Sequence, residues 1–304
     1  MIKKVCIVLT IICGLAIQVE LVLAQEKVPN AITVSPAFLD VQVPGEQAQV
    51  SEIITITNTT DQAITLEVLP TSVDQQNLYG GISFEAFSGA ANDSFPFLSF
   101  SNDRVVIDPQ QSQQITVTIE NRSSLKPGGT YIAVIFRAAL DEVPTEQVIL
   151  PAVSSLLLIN KQGGEVYNLS LTEVAGLPSF ISFSLPTELG LTFNNQGNTH
   201  LQPRGTISLN GSFRRLLAQS TVNESSLYIL PGRERLIPQT IKSSQRLLPF
   251  DFVSVEITGS SGNERTPYYF ESSFVYIAPW FLISCLIFCL IISIVIYKRN
   301  ENNH

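Results

Sequence analysis

Histidine chemistry is the first possibility that the sequence raises, and the residues around it do not support it. The chain has two histidines, His200 and His304, and His304 is the last residue. A catalytic triad or a zinc site built on His200 would need carboxylates or cysteines at fixed spacing, and none lies near it in the sequence. The sequence contains no G-x-S-x-G, no H-E-x-x-H and no phosphate-binding loop. We therefore predict no catalytic residue, no metal site, no cofactor and no enzymatic activity.

Carboxylate pairs are the remaining candidates for acid–base chemistry or for calcium binding. Asp103 and Asp108 form one pair, and Asp141 and Glu142 form another. Because this spacing is common in acidic turns, we interpret all four as solvated loop charges.

His200 itself lies in a segment that is dense in turn-forming residues, Asn195–Gly205. Asn198 and Gly205 suit backbone conformations with positive φ, and Pro203 fixes its own φ. A histidine at this position is able to bond a loop carbonyl. We predict a structural loop that is formed by Asn198, His200, Pro203 and Gly205 and that joins two strand ends.

The positions of the cysteines bear on whether the protein is exported and whether its source is bacterial or eukaryotic. All four lie in the two apolar ends of the chain, at Cys6, Cys13, Cys285 and Cys289. The region between them therefore has no disulfide, which favours a bacterial exported protein over a eukaryotic secreted one. Six Asn-x-Ser/Thr sites keep a eukaryotic type I membrane glycoprotein as an alternative. These sites are Asn58, Asn92, Asn121, Asn168, Asn210 and Asn223.

The amino-terminal end has the composition of an export signal. Lys3 and Lys4 precede an uncharged run from Val5 to Val19, and Val22-Leu23-Ala24 supplies a cleavage site. This pattern predicts a signal peptide over residues 1–24.

The carboxy-terminal end predicts a membrane anchor. Phe274–Ile296 contains no charged residue, which predicts a transmembrane helix over residues 274–297. Lys298 and Arg299 follow it, so the positive-inside rule assigns residues 298–304 to the cytoplasm. We expect a single-pass type I protein of the cell membrane with an extracellular ectodomain.

Between these ends, apolar and polar residues alternate with the period of β-strands. The sequence predicts an all-β fold: two immunoglobulin-like antiparallel sandwiches, at residues 25–145 and 146–273, plus one C-terminal transmembrane α-helix. The boundary is placed in the charged, proline-containing Asp141–Glu146, although Val148–Ile159 suits a shared or closing strand. Residues 25–150 carry 15 acidic and 5 basic side chains. Such an acidic half disfavours nucleic acid as a partner.

Local signals predict how some strands connect. Polar Asn58–Gln62 separates the strand that contains Ile54 from the strand that contains Ile64, which predicts a hairpin. Asn210-Gly211 predicts a second hairpin turn. Tyr131–Phe136 is apolar on both faces and predicts a central strand.

Two surface features are candidates for binding. The segment Gly80–Ser101 is rich in phenylalanine, and recognition by strand addition at exposed strand edges is the mode we expect there. The candidate binding surface consists of Phe84, Phe87, Phe95, Phe97 and Phe100. The basic clusters Arg214-Arg215 and Arg233/Arg235 suit either anionic wall polymer, the membrane surface or acidic residues on neighbouring strands.

The order of several short motifs resembles that of PapD-like immunoglobulin domains. These motifs are Val34-Ser35-Pro36, Pro44-Gly45-Glu46, Ile54–Thr60, Ile107-Asp108-Pro109 with Ile115–Val117, and Pro127–Tyr131. Within that group, the sequence is most similar to the amino-terminal domain of bacterial WxL-interacting proteins, which also have a signal peptide, two β-domains and a carboxy-terminal span. The second half adds Asn195–Gly205, Ile229–Arg233 and Tyr276–Trp280, which resemble the membrane-proximal domain of that class.

The resemblance implies an envelope-anchored interaction protein. It implies binding of cell-wall polymer (peptidoglycan) by the first domain and contact with a surface or host protein, as in adhesion, by the second. A PapD-type assembly chaperone and a structural spacer without a specific ligand are the alternatives. The first domain shows no clear wall-binding signature, and the usual long region before Tyr131 is here the phenylalanine-rich Gly80–Ser101. The choice between cell-wall polymer and a surface protein therefore stays open.

Overall fold

The computed structural model describes residues 32–45, 48–84, 94–139, 151–242, 247–261 and 266–301. The predicted signal peptide, the boundary segment at residues 141–146 and Phe87 lie outside the described residues.

The first sandwich contains ten strands within these residues. They are β1 (Ile32–Ser35), β2 (Phe38–Val43), β3 (Gln49–Asn58), β4 (Ile64–Gln75), β5 (Ile82–Phe84), β6 (Leu98–Phe100), β7 (Arg104–Ile107), β8 (Ser112–Glu120), β9 (Gly128–Ala138) and β10 (Ala152–Lys161). One sheet has the order β1-β3-β8-β6, and the other has the order β2-β10-β9-β4-β5, with β7 also paired to β4. The pairing is antiparallel except between β2 and β10.

The second sandwich is built in the same style. Its strands are β11 (Leu169–Ala175), β12 (Ile181–Ser182), β13 (Glu188–Asn195), β14 (Arg204–Gly211), β15 (Arg215–Val222), β16 (Arg233–Thr240), β17 (Phe250–Ser260) and β18 (Pro267–Ile277). The smaller sheet has the order β11-β13-β16, and the larger has the order β12-β18-β17-β14-β15. The predicted all-β fold with two sandwiches and one carboxy-terminal helix is confirmed.

Strand alternation explains both cores. Ile54 and Ile56 on β3 and Ile115 and Val117 on β8 are fully buried, and the polar residues between them point outwards. The same two-residue period buries alternate residues of β17 in the second core. Each sandwich therefore buries its own apolar set between its two sheets.

Strand β10 belongs to the first sandwich, whereas the boundary at residues 145 and 146 would assign it to the second. It pairs with β9 from Ala152 to Lys161 and with β2 from Leu156 to Lys161. Leu157 and Ile159 are fully buried in that core. Strand pairing therefore places the end of the first sandwich at Lys161.

The chain around Asn58–Gln62 crosses between sheets and does not form the predicted hairpin. Strand β3 pairs with β1 and β8, while β4 pairs with β5, β7 and β9. The buried Asn58 side chain holds the crossing, because its Nδ2 donates to the carbonyl oxygens of Gln62, Ile107 and Asp108.

The second predicted hairpin forms, with its turn displaced along the chain. Strands β14 and β15 pair, and Gly211 still faces Arg215 across the ladder. The turn is the 3-10 segment Ser212–Arg214, in which Phe213 and Arg214 have positive φ.

The carboxy-terminal helix α1 (Pro279–Glu301) begins five residues after the predicted start at Phe274. Phe274–Ile277 continue β18 and pair with Phe250–Val253 of β17. Because Phe274 and Tyr276 are buried in the second core, these residues are held as strand. The helix is long and apolar enough to cross a membrane.

The placement of β10 yields a stability prediction. Replacing Ile159 by Ala should lower the free energy of unfolding by about 2–5 kcal/mol, because it opens a cavity in the first core. The control Ile53→Ala, at a residue that is 52% exposed, should change it by less than about 0.5 kcal/mol. Urea unfolding of the full chain in detergent checks this, and equal effects would place β10 outside the core.

Candidate functional site

The outer face of the larger first-sandwich sheet carries an apolar strip among polar residues such as Asp40, Gln42 and Asn160. Its ladder aligns Phe38, Leu156 and Ala133 in one row across β2, β10 and β9. The next row aligns Leu158 with Tyr131. Loops of the second sandwich cover part of this face. Strand β9 is apolar on both sides over Tyr131–Phe136 and lies between β10 and β4, as predicted for a central strand.

His200 lies in the first of two contact regions between the sandwiches. Its Nε2 is 3.3 Å from Oδ1 of Asp40, and its Nδ1 is 3.3 Å from the hydroxyl of Tyr131. The ring contacts the rings of Tyr131 and Tyr228 edge to face, and its side chain is only 4% exposed. Because both ring nitrogens are occupied and the ring is buried, no nitrogen is free for a substrate.

The carboxylate of Asp40 is the electrostatic centre of this region. It also accepts hydrogen bonds from the Tyr228 hydroxyl at 3.2 Å and from the Gln42 amide at 2.9 Å. Partial burial by itself would raise the pKa of Asp40, but its bonds to His200, Gln42 and Tyr228 outweigh that effect and lower it. Burial raises the pKa of the Tyr131 hydroxyl, so Tyr131 stays a phenol that is able to donate to His200.

Asn198 extends this region with backbone contacts. Its carbonyl accepts from the Gly129 amide at 2.7 Å, and its side chain bonds Val166 N and Gly164 O. Gly128, next to Gly129, has a φ of +100°, and a Cβ there would overlap Asn198. The predicted loop therefore joins two domains as well as two strand ends.

The other residues of the predicted loop support it from inside the second sandwich. The carbonyl of the buried Pro203 accepts from Asn223 Nδ2 at 3.1 Å. Neither Asn198 nor Gly205 has positive φ, so that expectation is wrong. Gly205 is required for another reason, since a Cβ there would overlap the carbonyl of Thr258 on the neighbouring strand.

The second contact region lies at the far end of β4. Arg233 forms an ion pair with Asp74, with its Nε 3.1 Å from Oδ1. Gln75 Nε2 donates to the carbonyl of Glu234 at 2.6 Å, and the Leu236 amide donates to the carbonyl of Leu78 at 2.7 Å. These bonds add the edge of β16 to the first sandwich.

A cavity of about 390 Å³ lies between the two contact regions, and we call it the interdomain groove. Its floor is the apolar sheet face, and its roof is the loop from Ser225 to Leu230. The lining is mostly apolar. It includes Phe38, Ile82, Leu156, Leu158, Tyr228 and Arg235.

One end of the interdomain groove is lined by two polar side chains, Arg235 and Gln75, whose hydrogen-bonding atoms do not all have partners. Arg235 donates from Nη1 to the carbonyl of Tyr228 at 2.6 Å, but its buried Nε has no hydrogen-bond partner. Burial lowers the pKa of its guanidinium, and none of the described ion pairs includes it. The Oε1 atom of the buried Gln75 also lacks a partner. Both side chains line the groove, and each keeps one buried polar atom without a hydrogen-bond partner.

The predicted phenylalanine surface is divided by the structure. Phe95 and Phe97 are 8% and 6% exposed and contact each other edge to face in the first core. Phe100 is half-buried on β6, at the edge of the opposite sheet. Phe84 alone is exposed beside the groove, on β5 next to Ile82.

One arginine of the predicted basic cluster Arg214-Arg215 forms an ion pair inside the second sandwich. Arg215 pairs with the buried Asp251 at 2.5 Å. Asn58 and Asn223 are fully buried and hydrogen-bonded, so neither is accessible for glycosylation in the folded protein. Among the described residues, no group of three or more His, Cys, Asp or Glu is placed to hold a metal ion.

Three site residues were not found from the sequence: Asp40, Tyr131 and Tyr228. Asp40 is separated from His200 by 160 positions, so no spacing motif connects them. Tyr131 was detectable only as part of a strand that is apolar on both faces. That pattern was the one local sign that something covers the sheet.

No protein-family model and no curated protein sequence matches the chain. Solved structures similar to it are fimbrial chaperones with the PapD-like fold. A chain of the CFA/I chaperone–tip adhesin complex has 11% identity and a TM-score of 0.40, covering 73% of this chain and 93% of its own. The class 5 fimbriae chaperone CfaA has 10% identity and a TM-score of 0.40, and the match covers 79% of this chain and 98% of CfaA. The Pseudomonas aeruginosa CupB2 chaperone has 8% identity and a TM-score of 0.35, and the match covers 79% of this chain and 98% of the chaperone.

The Asp40 contacts predict a pH dependence. A carboxyl whose pKa is lowered by folding stabilises the protein above its unfolded pKa of about 3.9, and that contribution is lost as the pH falls through the folded value. Asp40→Asn should therefore lower the free energy of unfolding at pH 7 and have less effect at pH 3. Urea unfolding at both pH values measures this. The exposed control Asp103→Asn should show no such difference, and a pH-independent effect of Asp40→Asn would contradict the assignment.

Proposed function

We propose that this chain is a non-enzymatic, membrane-anchored binding protein that holds a segment of another surface protein in its interdomain groove. Helix α1 is its anchor. Lys298 and Arg299 at the end of that helix favour a cytoplasmic tail, and we propose that both sandwiches lie on the extracellular side. The groove, and not His200, is the functional site.

The observation that carries this proposal is the apolar groove between two fixed contact regions. A preformed apolar cavity with a few polar groups at one end is the usual form of a binding site in proteins. Because Asp40, His200, Asp74 and Arg233 hold the sandwiches on both sides of it, the groove exists before a partner arrives, which reduces the entropy cost of binding.

The lining of the groove favours a protein over a cell-wall polymer. A polysaccharide presents hydroxyl groups, which would lose their hydrogen bonds to water against Leu156, Leu158 and Phe38. A polypeptide segment with apolar side chains fits that surface, and an acidic group on it would complement Arg235. Wall binding and the specificity of WxL-interacting proteins gain no support from this groove.

Strand β5 offers a way to hold such a segment. Within the described residues it pairs only with β4, so its outer edge presents free backbone groups beside the groove. An extended segment that added to β5 would place alternate side chains against Ile82 and Phe84. An assembly chaperone would use the same groove for a subunit in transit, whereas a surface scaffold would keep its partner.

The test is a pull-down with the full chain in detergent, against the wall sacculus and against extracted surface proteins of the source organism. We expect saturable retention of one protein. Ile82→Asp should abolish it because a charge enters the apolar lining. The matched control Ile53→Asp changes an isoleucine that is also exposed, on the opposite sheet, and should bind normally.

Other outcomes would contradict the proposal in different ways. Retention on the sacculus that survives Ile82→Asp would assign wall binding to another surface. Absence of any saturable partner would favour a structural spacer. A partner whose binding is lost equally in both variants would contradict the role of the groove.

A further inference from the structure

The larger sheet of the second sandwich has an outer face that is apolar at one end and polar at the other. On β17, Val253 and Val255 face the core, so Phe252 and Glu256 face outwards. Phe252 is 62% exposed. Along the same face the side chains change to Ser254 and Glu256, which lie opposite Ser273 and Glu271 of β18.

The apolar end is continuous across three strands. Strand register aligns Ile181 of β12, Val275 of β18 and Phe252 of β17 in one row. Phe250 and Ile277 form the next row. Ile181, Phe250 and Phe252 are exposed, and together they form an apolar area much wider than the scattered exposed residues of an ordinary surface.

The β14–β15 turn extends this area at the same end of the sheet. Asn210 pairs with Ser254, and the Phe252 amide lies 3.4 Å from the hydroxyl of Ser212, which places the turn beside Phe252. Phe213 at its tip is 98% exposed, and the exposed Arg214 follows it. We call the set of apolar residues the membrane-end patch; it consists of Ile181, Phe213, Phe250, Phe252, Val275 and Ile277.

The connection to helix α1 fixes the height of this patch. Only Ala278 separates β18 from Pro279, and its amide donates to the carbonyl of Pro249 at 2.8 Å. Phe281, in the first turn of the helix, packs against the second core. The helix therefore leaves the domain without a flexible linker.

The helix is only just long enough to cross the hydrocarbon core of a bilayer. Pro279–Arg299 is 21 residues, or roughly 31 Å at ~1.5 Å per residue, against a hydrocarbon core of ~30 Å. Pro279 is therefore at the hydrocarbon boundary when the helix crosses. Phe252, level with Val275, is then roughly 10–15 Å along the strand from that boundary, and Phe250, level with Ile277, is nearer. Because the headgroup layer is only roughly 5–8 Å thick on each side of the bilayer, Phe252 reaches it when the strands are strongly inclined to the membrane normal.

We propose that the membrane-end patch lies in the headgroup layer of the outer leaflet, so that the second sandwich rests on the bilayer that holds its own helix. This rests on the proposed membrane anchor. Exposed aromatic rings favour the interface between water and lipid, and the exposed Trp280 at the start of the helix suits the same layer. Arg214 beside Phe213 is placed to contact lipid phosphates. The contact fixes the orientation of the ectodomain, and with it the direction in which the interdomain groove opens.

The experiment measures the depth of single labels in the full chain. Cys6, Cys13, Cys285 and Cys289 are replaced by Ala, and one cysteine is introduced at Phe252, Tyr269 or Phe288. The chains are labelled with an environment-sensitive fluorophore. They are reconstituted in phosphatidylcholine vesicles with some phosphatidylglycerol. Lipids that carry a nitroxide quench only labels that reach the bilayer.

Tyr269→Cys is the matched control, because Tyr269 is on the same face of the same sheet and is 61% exposed, close to the 62% of Phe252. It is level with Thr258, six positions from Phe252 on β17, so it lies roughly 20 Å further along the strands from the membrane end. We expect a blue shift and quenching at Phe252→Cys and neither at Tyr269→Cys. Phe213→Cys, at the turn, is a second site whose label should behave like that at Phe252.

The label at Phe288→Cys, in the middle of helix α1, separates the two proposals. Quenching at residue 288 together with aqueous labels at residues 252 and 213 would keep the anchor and overturn the membrane-end patch. An aqueous label at residue 288 would overturn the anchor, and the patch with it. Equal quenching at residues 252 and 269 would also overturn the patch, because it would show that the sheet lies flat on the lipid.

Discussion

The apolar strip on the outer face of the β2-β10-β9-β4-β5 sheet is the constraint on which the arrangement of this protein depends. A sandwich ordinarily needs one apolar face per sheet, and its other face meets water. Here Leu156, Leu158 and Tyr131 give the second face an apolar strip as well. Water contact with that face would be unfavourable, so the two sandwiches pack together instead of moving independently as most linked domains do.

The covering of that face is partial, and this is what creates a site. The second sandwich touches the face in two regions, with loops in one and with the edge of β16 in the other. One is built around Asp40 and His200, and the other around Asp74 and Arg233. The apolar strip between them remains accessible and becomes the interdomain groove. Charged and hydrogen-bonded groups thus fix the geometry, while the apolar surface between them is left for binding.

His200 illustrates how a residue type suited to catalysis serves a structural purpose. Its ring is enclosed by Tyr131 and Tyr228, and its nitrogens face Asp40 and a phenol. The same side chains in an open cleft would suggest acid–base chemistry. Here the ring is 4% exposed and both of its nitrogens have partners, so its contacts join the two domains.

The sequence by itself determined the strands, the two sandwiches and the apolar carboxy-terminal helix, because two-residue alternation and a long uncharged run are local properties. Its turn-forming residues also predicted a structural loop at Asn198 and His200. Only the tertiary structure decided that Asn58–Gln62 crosses between sheets, that β10 closes the first sandwich and that Phe95 and Phe97 are buried. It alone brought Asp40 to His200. Those outcomes depend on pairings between distant segments, and no local pattern records which strands meet.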